Sequence, residues 1–305
     1  MTSQAPATTP PPRPRSGPPA PPPPVRRGSR NRWRKAGLLA IATVVAAVIV
    51  VPIYFGIIGG FKDNAQLSTG PLAIPSPWRF SNYGEVLGSG TFWRQVFNST
   101  FVGVFTVLIT VVVAALAAYV FARFAFRGRE VLFMLFAAGL MFPPAVAILP
   151  LFVLLRELDL LNSPWGIILP QAAFALPLTI IILRTFFRTI PAEIEESATL
   201  DGASTFGIFW RIMLPMARPA LAVVSVLALV TSWNNFLLPL VVLNREQSWW
   251  TLPLGVMQFT GQWASETARI LAYVMLAMLP ALAFFFFAER QIVAGIAPAT
   301  AGSKG

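Results

Sequence analysis

Six stretches of this 305-residue chain contain no Asp, Glu, Lys or Arg: Ala36–Ile58, Gln95–Ala122, Val131–Leu155, Leu160–Leu183, Pro219–Asn244 and Ile270–Ala288. A helix needs about 20 predominantly apolar residues to cross a hydrocarbon core roughly 30 Å thick. Each run reaches that length, the last only just. The expected fold is therefore an all-α membrane protein with six transmembrane helices. A chain that is 56% hydrophobic and 11% charged has the balance of a membrane bundle.

Orientation follows from the basic residues. With the N-terminus inside, 17 of the 23 Lys and Arg fall on the inner side and 6 on the outer. That asymmetry favours N-in and C-in, with much of it carried by the N-terminal tail. The formal charge of +11 does not point to nucleic acid, because the basic residues sit at the ends of apolar runs and form no patch among aromatics. The residues divide into a Pro-rich, basic, disordered cytoplasmic arm over 1–35, a six-helix permeation domain over 36–290, and a cytoplasmic C-terminal tail over 291–305. Eleven of the first 24 residues are proline, which keeps that arm extended and without a core. The run after it is too long for a signal-peptide core and is read as an uncleaved first helix. Outer loops span 59–94 and 245–269. The second carries Trp249, Trp250 and Trp263, placed for the lipid headgroup level or for a partner. Prolines concentrate in the third and fourth runs (Pro143, Pro144, Pro150, Pro170, Pro177), which suggests an interior able to bend.

The missing residue types exclude whole classes of activity. With no Cys and no His, disulfides, thiol nucleophiles, zinc-type clusters and imidazole acid–base chemistry are ruled out. No carboxylate lies in any of the six runs, so proton coupling is unfavoured, although a sodium site of carbonyls and hydroxyls stays open. No lysine follows a glycine, so the chain has no phosphate-binding P-loop. Shifting a two-state access equilibrium from 1:99 to 99:1 takes about 5.5 kcal/mol. The chain has no visible motor to supply that energy.

Against this background EIEESATLDGASTFGIFWRIMLP stands out. Four of the twelve acidic residues fall within nine positions, Glu193 to Asp201. Pro191 suits a helix start, and Glu193, Glu195 and Glu196 suit the positive end of its dipole. Asp201-Gly202 marks a turn. A second amphipathic helix is expected from about Ser204, with Phe206, Phe209, Trp210 and Met213 near helical spacing and Pro215 as its stop. The small residues Ser197, Ala198 and Ala203 would let another protein approach closely. Two readings of this inner segment, 188–218, stand side by side: an interfacial hairpin linking two spans, or a contact for another protein.

Its spacing is specific. Glu196-Ser197-Ala198, three residues, Gly202, nine residues, then Ile212-Met213-Leu214-Pro215 resembles the EAA loop of binding-protein-dependent ABC importer permeases. The family pattern is Glu-Ala-Ala, three residues, Gly, nine residues, Ile-x-Leu-Pro, and Ser197 is the one departure. TFFRTIPAEIEESATLDGAS, MFPPAVAILPLF, SWNNFLLPL and RQIVAGIAPATAGSKG are similar to carbohydrate importers of the maltose-permease type, nearest to their second permease subunit. Trp233-Asn234-Asn235-Phe236 departs from that family's Trp-Asn-Glu-Phe at its third position. The resemblance implies a MetI-like six-helix bundle in a bacterial cytoplasmic (inner) membrane. It implies Glu195, Glu196, Ser197, Ala198, Asp201, Gly202, Ala203, Ile212, Leu214 and Pro215 as the coupling residues. Their partners would be a companion permease, two cytoplasmic ATP-binding subunits and an extracytoplasmic sugar-binding protein. ATP and Mg would sit on the ATPase partner, and this chain would be non-catalytic, without cofactor or metal.

For a substrate pathway, Asn234 lies about 22 Å from the inner start of the fifth run at 1.5 Å per residue, and Gln171 reaches a comparable depth. Gln171, Trp233, Asn234 and Asn235 are the pathway candidates, with Phe174 or Trp233 as a stacking face for a sugar. The alternative is that these amides bond to neighbouring helices.

Overall fold

The computed structural model describes residues 29–243, 247–260 and 266–301, and the regular elements among them are helical. The Pro-rich stretch 1–28 and Trp263 lie outside the described residues. Helix α1 runs from Ser29 to Gly59. It starts seven residues before the apolar run, so Ser29–Lys35 is helical and not part of an extended arm. The last proline of the N-terminal run is Pro24, and the Arg and Lys that follow are good helix formers. The chain divides into two units at Val51/Pro52, within this helix. In the first unit, Leu38, Ile41, Val45 and Val48 are all exposed, as suits a helix surrounded by lipid.

The second unit begins with an outer segment that is folded, not an open loop. It holds α2 (Asn64–Thr69) and α3 (Ser81–Gly88). The Asp63 carboxylate caps α2 by accepting from Gln66 N at 2.9 Å. Lys62 is 1% exposed, and its Nζ donates to Gly70 O at 2.7 Å and Pro71 O at 2.9 Å, closing the turn after α2. Phe61, Trp78, Phe80 and Tyr83 pack ring against ring around it.

Next comes α4, Gly90–Arg123, the spine of the molecule. Gln95, Ser99, Gly103, Thr106, Thr110, Ala114 and Ala118 are buried along one face at intervals of three or four residues. Lipid tails are as apolar as Leu, so helices associate in membranes chiefly by close packing of such small residues. Helix α4 makes the most extensive helix pairing among the described residues with α7, Trp165–Thr189, while the early part of the seam meets other elements: Gln95 accepts from Tyr273 Oη and Ser99 Oγ from Leu252 N.

The third apolar run is broken. It forms α5 (Arg129–Ala138), a tight turn at Gly139–Met141, and α6 (Ile148–Glu157), and the two arms meet at 87°. The cause is the Pro143-Pro144 pair, which holds Phe142 extended (φ −89°, ψ 113°) and withholds two N–H donors in succession. The expectation of bending held for this run. Helix α7, by contrast, continues through both Pro170 and Pro177, two turns apart, each sacrificing a single bond.

The segment 188–218 forms a hairpin of α8 (Ala192–Leu200), α9 (Thr205–Ile208) and α10 (Leu214–Met216). Helix α11, Arg218–Trp233, follows after a 75° bend. The fifth run is also interrupted, because Asn234–Phe236 separates α11 from α12, Leu237–Val242. Beyond α13 (Leu252–Gly255) the chain ends in α14, Thr267–Ala301, which carries helix through the segment set aside as a tail from residue 291. Among the described residues, four helices are long and apolar enough to cross a membrane, or up to six if each of two bent pairs counts as one span.

Trp249 and Trp250, the described tryptophans of segment 245–269, are used internally. Trp250 Nε1 donates to Leu243 O at 3.1 Å, and Trp249 packs 5.8 Å from Phe101. Asn98 on α4 holds this segment by donating to Ser248 O and Trp250 O.

Candidate functional site

At one end of the α4–α7 pair sits the hairpin. Pro191 stands immediately before α8, and Glu193 and Glu195 occupy its first turn. The helix closes in a Schellman motif: Ala203 N–H reaches Ala198 O at 2.9 Å, and Gly202 N–H reaches Thr199 O at 3.0 Å. Gly202 takes φ +81°, the left-handed conformation this cap demands. Ala198 and Ala203 are the two residues such a cap brings together; Ala198 is buried in the chain's own core and Ala203 is partly so. Their small size is used in closing this turn.

Ser204 then caps α9, its Oγ accepting from Gly207 N at 3.2 Å. Phe209 and Met213 are buried, whereas Phe206 and Trp210 are exposed. Phe209–Met213 forms a π-turn, in which Leu214 N–H reaches back five residues to Phe209 O. Helix continues through Pro215 to Met216, so the expected stop is misplaced by one turn feature. The Pro215 ring tolerates a position where the π-turn has already displaced the ladder, and the break comes at Ala217. Ile212, Leu214 and Pro215 are half-buried, the first two against the same core cluster.

The acidic residues divide by role. Glu195 turns inward: it forms an ion pair with Arg123 at 2.5 Å and accepts from Tyr119 Oη at 2.8 Å, both on the last turns of α4. Arg123 also donates to Ile190 O at 2.6 Å. Glu196, Ser197, Asp201 and Gly202 are exposed, and Leu200 beside them is 89% exposed. The hairpin is thus clamped to the bundle through one carboxylate and presents an acidic and apolar tip to the outside. A second ionic cluster lies nearby in the chain, where Glu130 on α5 pairs with Arg184 at 2.5 Å, Arg129 at 3.0 Å and Arg188 at 3.4 Å. Sequence counting used these arginines only for orientation.

Helices α4, α6, α7, α11 and α12 line a partly open cavity of about 260 Å³. Gln171 on α7 lines it, 8% exposed. Its Oε1 accepts from Ser232 Oγ at 2.6 Å and from Thr106 Oγ1 at a longer 3.4 Å. Its Nε2 has no partner among the described residues. An unpaired buried group of this kind costs about 1–3 kcal/mol. Thr179 and Thr231 add hydroxyls to the walls, Phe174 adds an aromatic face, and Asn235 sits at the helix break. Asn235 Oδ1 also caps α12 through Leu238 N at 3.2 Å.

The four pathway candidates therefore separate. Gln171 and Asn235 line the cavity; Trp233 and Asn234 do not. Trp233 is buried against α14, its Nε1 donating to Ala277 O at 3.4 Å and its ring packing on Phe284. Asn234 is exposed and bonds back to Val230 O at 2.9 Å. The hydroxyls of Thr106, Thr179, Thr231 and Ser232 went unnoticed in the sequence. Helical period would have found two of them, since Thr179 follows Gln171 by two turns and Ser232 follows Val224 likewise.

A family model described as "binding-protein-dependent transport system inner membrane component" matches residues 110–294, which include the hairpin and the greater part of the cavity wall. The chain belongs to that family. Among its relatives, a permease protein of a diacetylchitobiose uptake system from Streptomyces coelicolor is 34% identical over 263 residues, covering 86% of this chain and 87% of the relative. A trehalose transport system permease protein from Mycobacterium tuberculosis is 34% identical over 256 residues, covering 83% and 93%. Among solved structures, a bacterial ABC transporter involved in import of the acidic polysaccharide alginate superposes with a TM-score of 0.76 at 25% identity, over 86% of this chain and 98% of that one. The chain is a multi-pass, all-helical transport permease of the MetI-like fold.

Proposed function

We propose that this permease is the translocation subunit of an ATP-driven importer of sugars or oligosaccharides. It stands in a bacterial cytoplasmic membrane with six spans, both termini inside. A companion permease completes the pathway, and an extracytoplasmic binding protein delivers the solute. Two ATP-binding subunits, carrying ATP and Mg, supply the several kcal/mol that an access change needs.

The observation that carries this reading is the anchored hairpin. Leu200 at 89%, Phe206 at 69% and Trp210 at 41% exposure share the hairpin with the exposed Glu196 and Asp201, and this mix of apolar and acidic groups supports a surface that another protein covers. Glu196, Ser197, Asp201 and Gly202 would meet the ATPase. Glu195, through Arg123 and Tyr119, transmits the pull to α4, and the half-buried Ile212, Leu214 and Pro215 transmit it to α11. The sugars named for the relatives support the cargo class.

The test is reconstitution. Proteoliposomes holding this permease with its ATPase, companion and binding protein are expected to accumulate radiolabelled trehalose or diacetylchitobiose on adding ATP. Liposomes with this chain alone are expected to accumulate none, and uphill uptake by the isolated chain would sink the coupling account.

A further inference from the structure

We propose that Glu130 is a positioning residue for transport: it ties the first turn of α5 to the last turns of α7, so that a pull on the hairpin also moves α5 and the cavity wall beyond it. The inference rests on the importer reading above and adds a route of transmission beside those through α4 and α11.

A single oxygen is the junction. Glu130 Oε1 pairs with Arg184 on α7 at 2.5 Å, with Arg188 on α7 at 3.4 Å and with its neighbour Arg129 at 3.0 Å. Among the described residues, the hydrogen bonds and ion pairs from α5 side chains to α7 all pass through it. Arg184 is 4% exposed, and a guanidinium keeps its charge however deeply it is buried. Its Nε donates to Phe121 O at 3.2 Å in the last turn of α4, and its guanidinium lies 3.7 Å from the centre of the Phe133 ring. Three helix ends thus meet around one ion pair. Water can serve the half-exposed Arg188 if the carboxylate is lost, but it cannot serve Arg184.

Position gives the junction its reach. Arg188 lies in the last turn of α7, two residues before Ile190, whose carbonyl Arg123 holds, and α8 starts at Ala192. A displacement at the root of the hairpin is therefore felt at Arg188. On the other side, none of the ten residues of α5 is fully buried, and Val131, Met134 and Leu135 are exposed. Phe133 and Phe136 lean on Phe121, and beyond them Gly139 packs so closely that a Cβ there would stand 3.0 Å from Pro177 Cγ. A helix with so little buried surface follows its few fixed contacts. Past the tight turn, Leu140, Pro144 and Ala145 line the cavity. Helix α5 is thereby a lever from the hairpin root to the pathway.

The experiment uses the complete complex in proteoliposomes and measures uptake and ATP hydrolysis together. The probe is radiolabelled trehalose or diacetylchitobiose, whichever the wild type imports. The readout is solute imported per ATP hydrolysed, a ratio that loss of folded protein leaves unchanged. Glu130→Gln should lower this ratio about tenfold while ATP hydrolysis and co-purification of the ATPase persist. Glu130→Asp, which keeps the charge, should recover part of the loss. Arg188→Gln, at an exposed position, should lower the ratio about threefold, and it carries the test if Glu130→Gln fails to assemble. Arg127→Gln, exposed in the turn before α5, should match the wild type.

A ratio unchanged in Glu130→Gln, or in Arg188→Gln where the first does not assemble, overturns the lever and leaves the importer reading intact. Uptake and hydrolysis falling in parallel would also overturn it, because the junction would then serve stability alone. An equal fall in Arg127→Gln would assign the effect to surface charge and overturn it likewise. A wild-type complex that imports no solute on ATP overturns the importer reading, and the lever with it. One that imports phosphate or a peptide overturns the sugar class alone, and the same ratio is then read with that solute.

Discussion

Two neighbouring glutamates show how much depends on a single register position. Glu195 points into the bundle and is held by Arg123 and Tyr119, whereas Glu196 faces outward. Glu195→Gln should loosen the hairpin, at a cost of about 1.5–3 kcal/mol for hydrogen bonds to a charged group, discounted for partial exposure. Faster hydrogen exchange across residues 192–216 would register it, and an unchanged exchange pattern would count against the clamp. Glu196→Lys should leave exchange as it was while weakening co-purification of the ATPase. Gly202 makes a third case. Its φ of +81° costs an L residue about 1–2 kcal/mol, more for a β-branched one, yet a Cβ there meets no neighbour within 4 Å. Gly202→Val should therefore abolish coupled uptake through the backbone alone, and Gly202→Asn, tolerant of that conformation, should retain most of it. Equal loss in both variants would show that shape at the tip, not the turn, is what matters.

At the scale of helices, close approach is the rule and polar atoms mark where it is suspended. The small residues of the α4 seam let neighbouring elements lie close, α7 most extensively and α11 beside Gly103. Gly166, near the start of α7, is the tightest point: a Cβ there would run into Leu160 O and come within 3.0 Å of Val242 Cγ1. Backbone cannot yield as a side chain can. Gly166→Ala should push α7 from α12 and destabilise the fold by about 1–3 kcal/mol, seen as a lower melting temperature of the purified protein. A melting curve that overlays the wild type would mean that the Leu160 turn gives way. The broken third run belongs here too. Its 87° bend leaves Leu140, Pro144 and Ala145 beside the cavity, where a straight span would have filled it.

For the whole molecule, the freedom from cysteine makes topology directly measurable. In the proposed topology the exposed Ser68 lies outside and the exposed Arg127 inside, so Ser68→Cys and Arg127→Cys report the two faces. In intact cells stripped of their outer layers, a membrane-impermeant maleimide should label the first and spare the second. The reverse pattern would overturn N-in, C-in. The class of the molecule was legible in the chain because it rests on local quantities: run length, charge position, and the spacing from Glu196 to Pro215. Turn chemistry was legible for the same reason, since Gly202 and Ser204 act on the backbone beside them. The chain itself thus determined a helical membrane permease with a helix–turn–helix hairpin after its fourth apolar run. Tertiary structure alone decided that Glu195 binds inward, that Trp233 and Asn234 turn from the cavity while Gln171 faces it, and that Lys62 is buried. Those outcomes depend on which helix stands opposite, and a buried polar atom takes its partner from that neighbour, 76 residues away for Tyr119 and Glu195 and 178 for Tyr273 and Gln95.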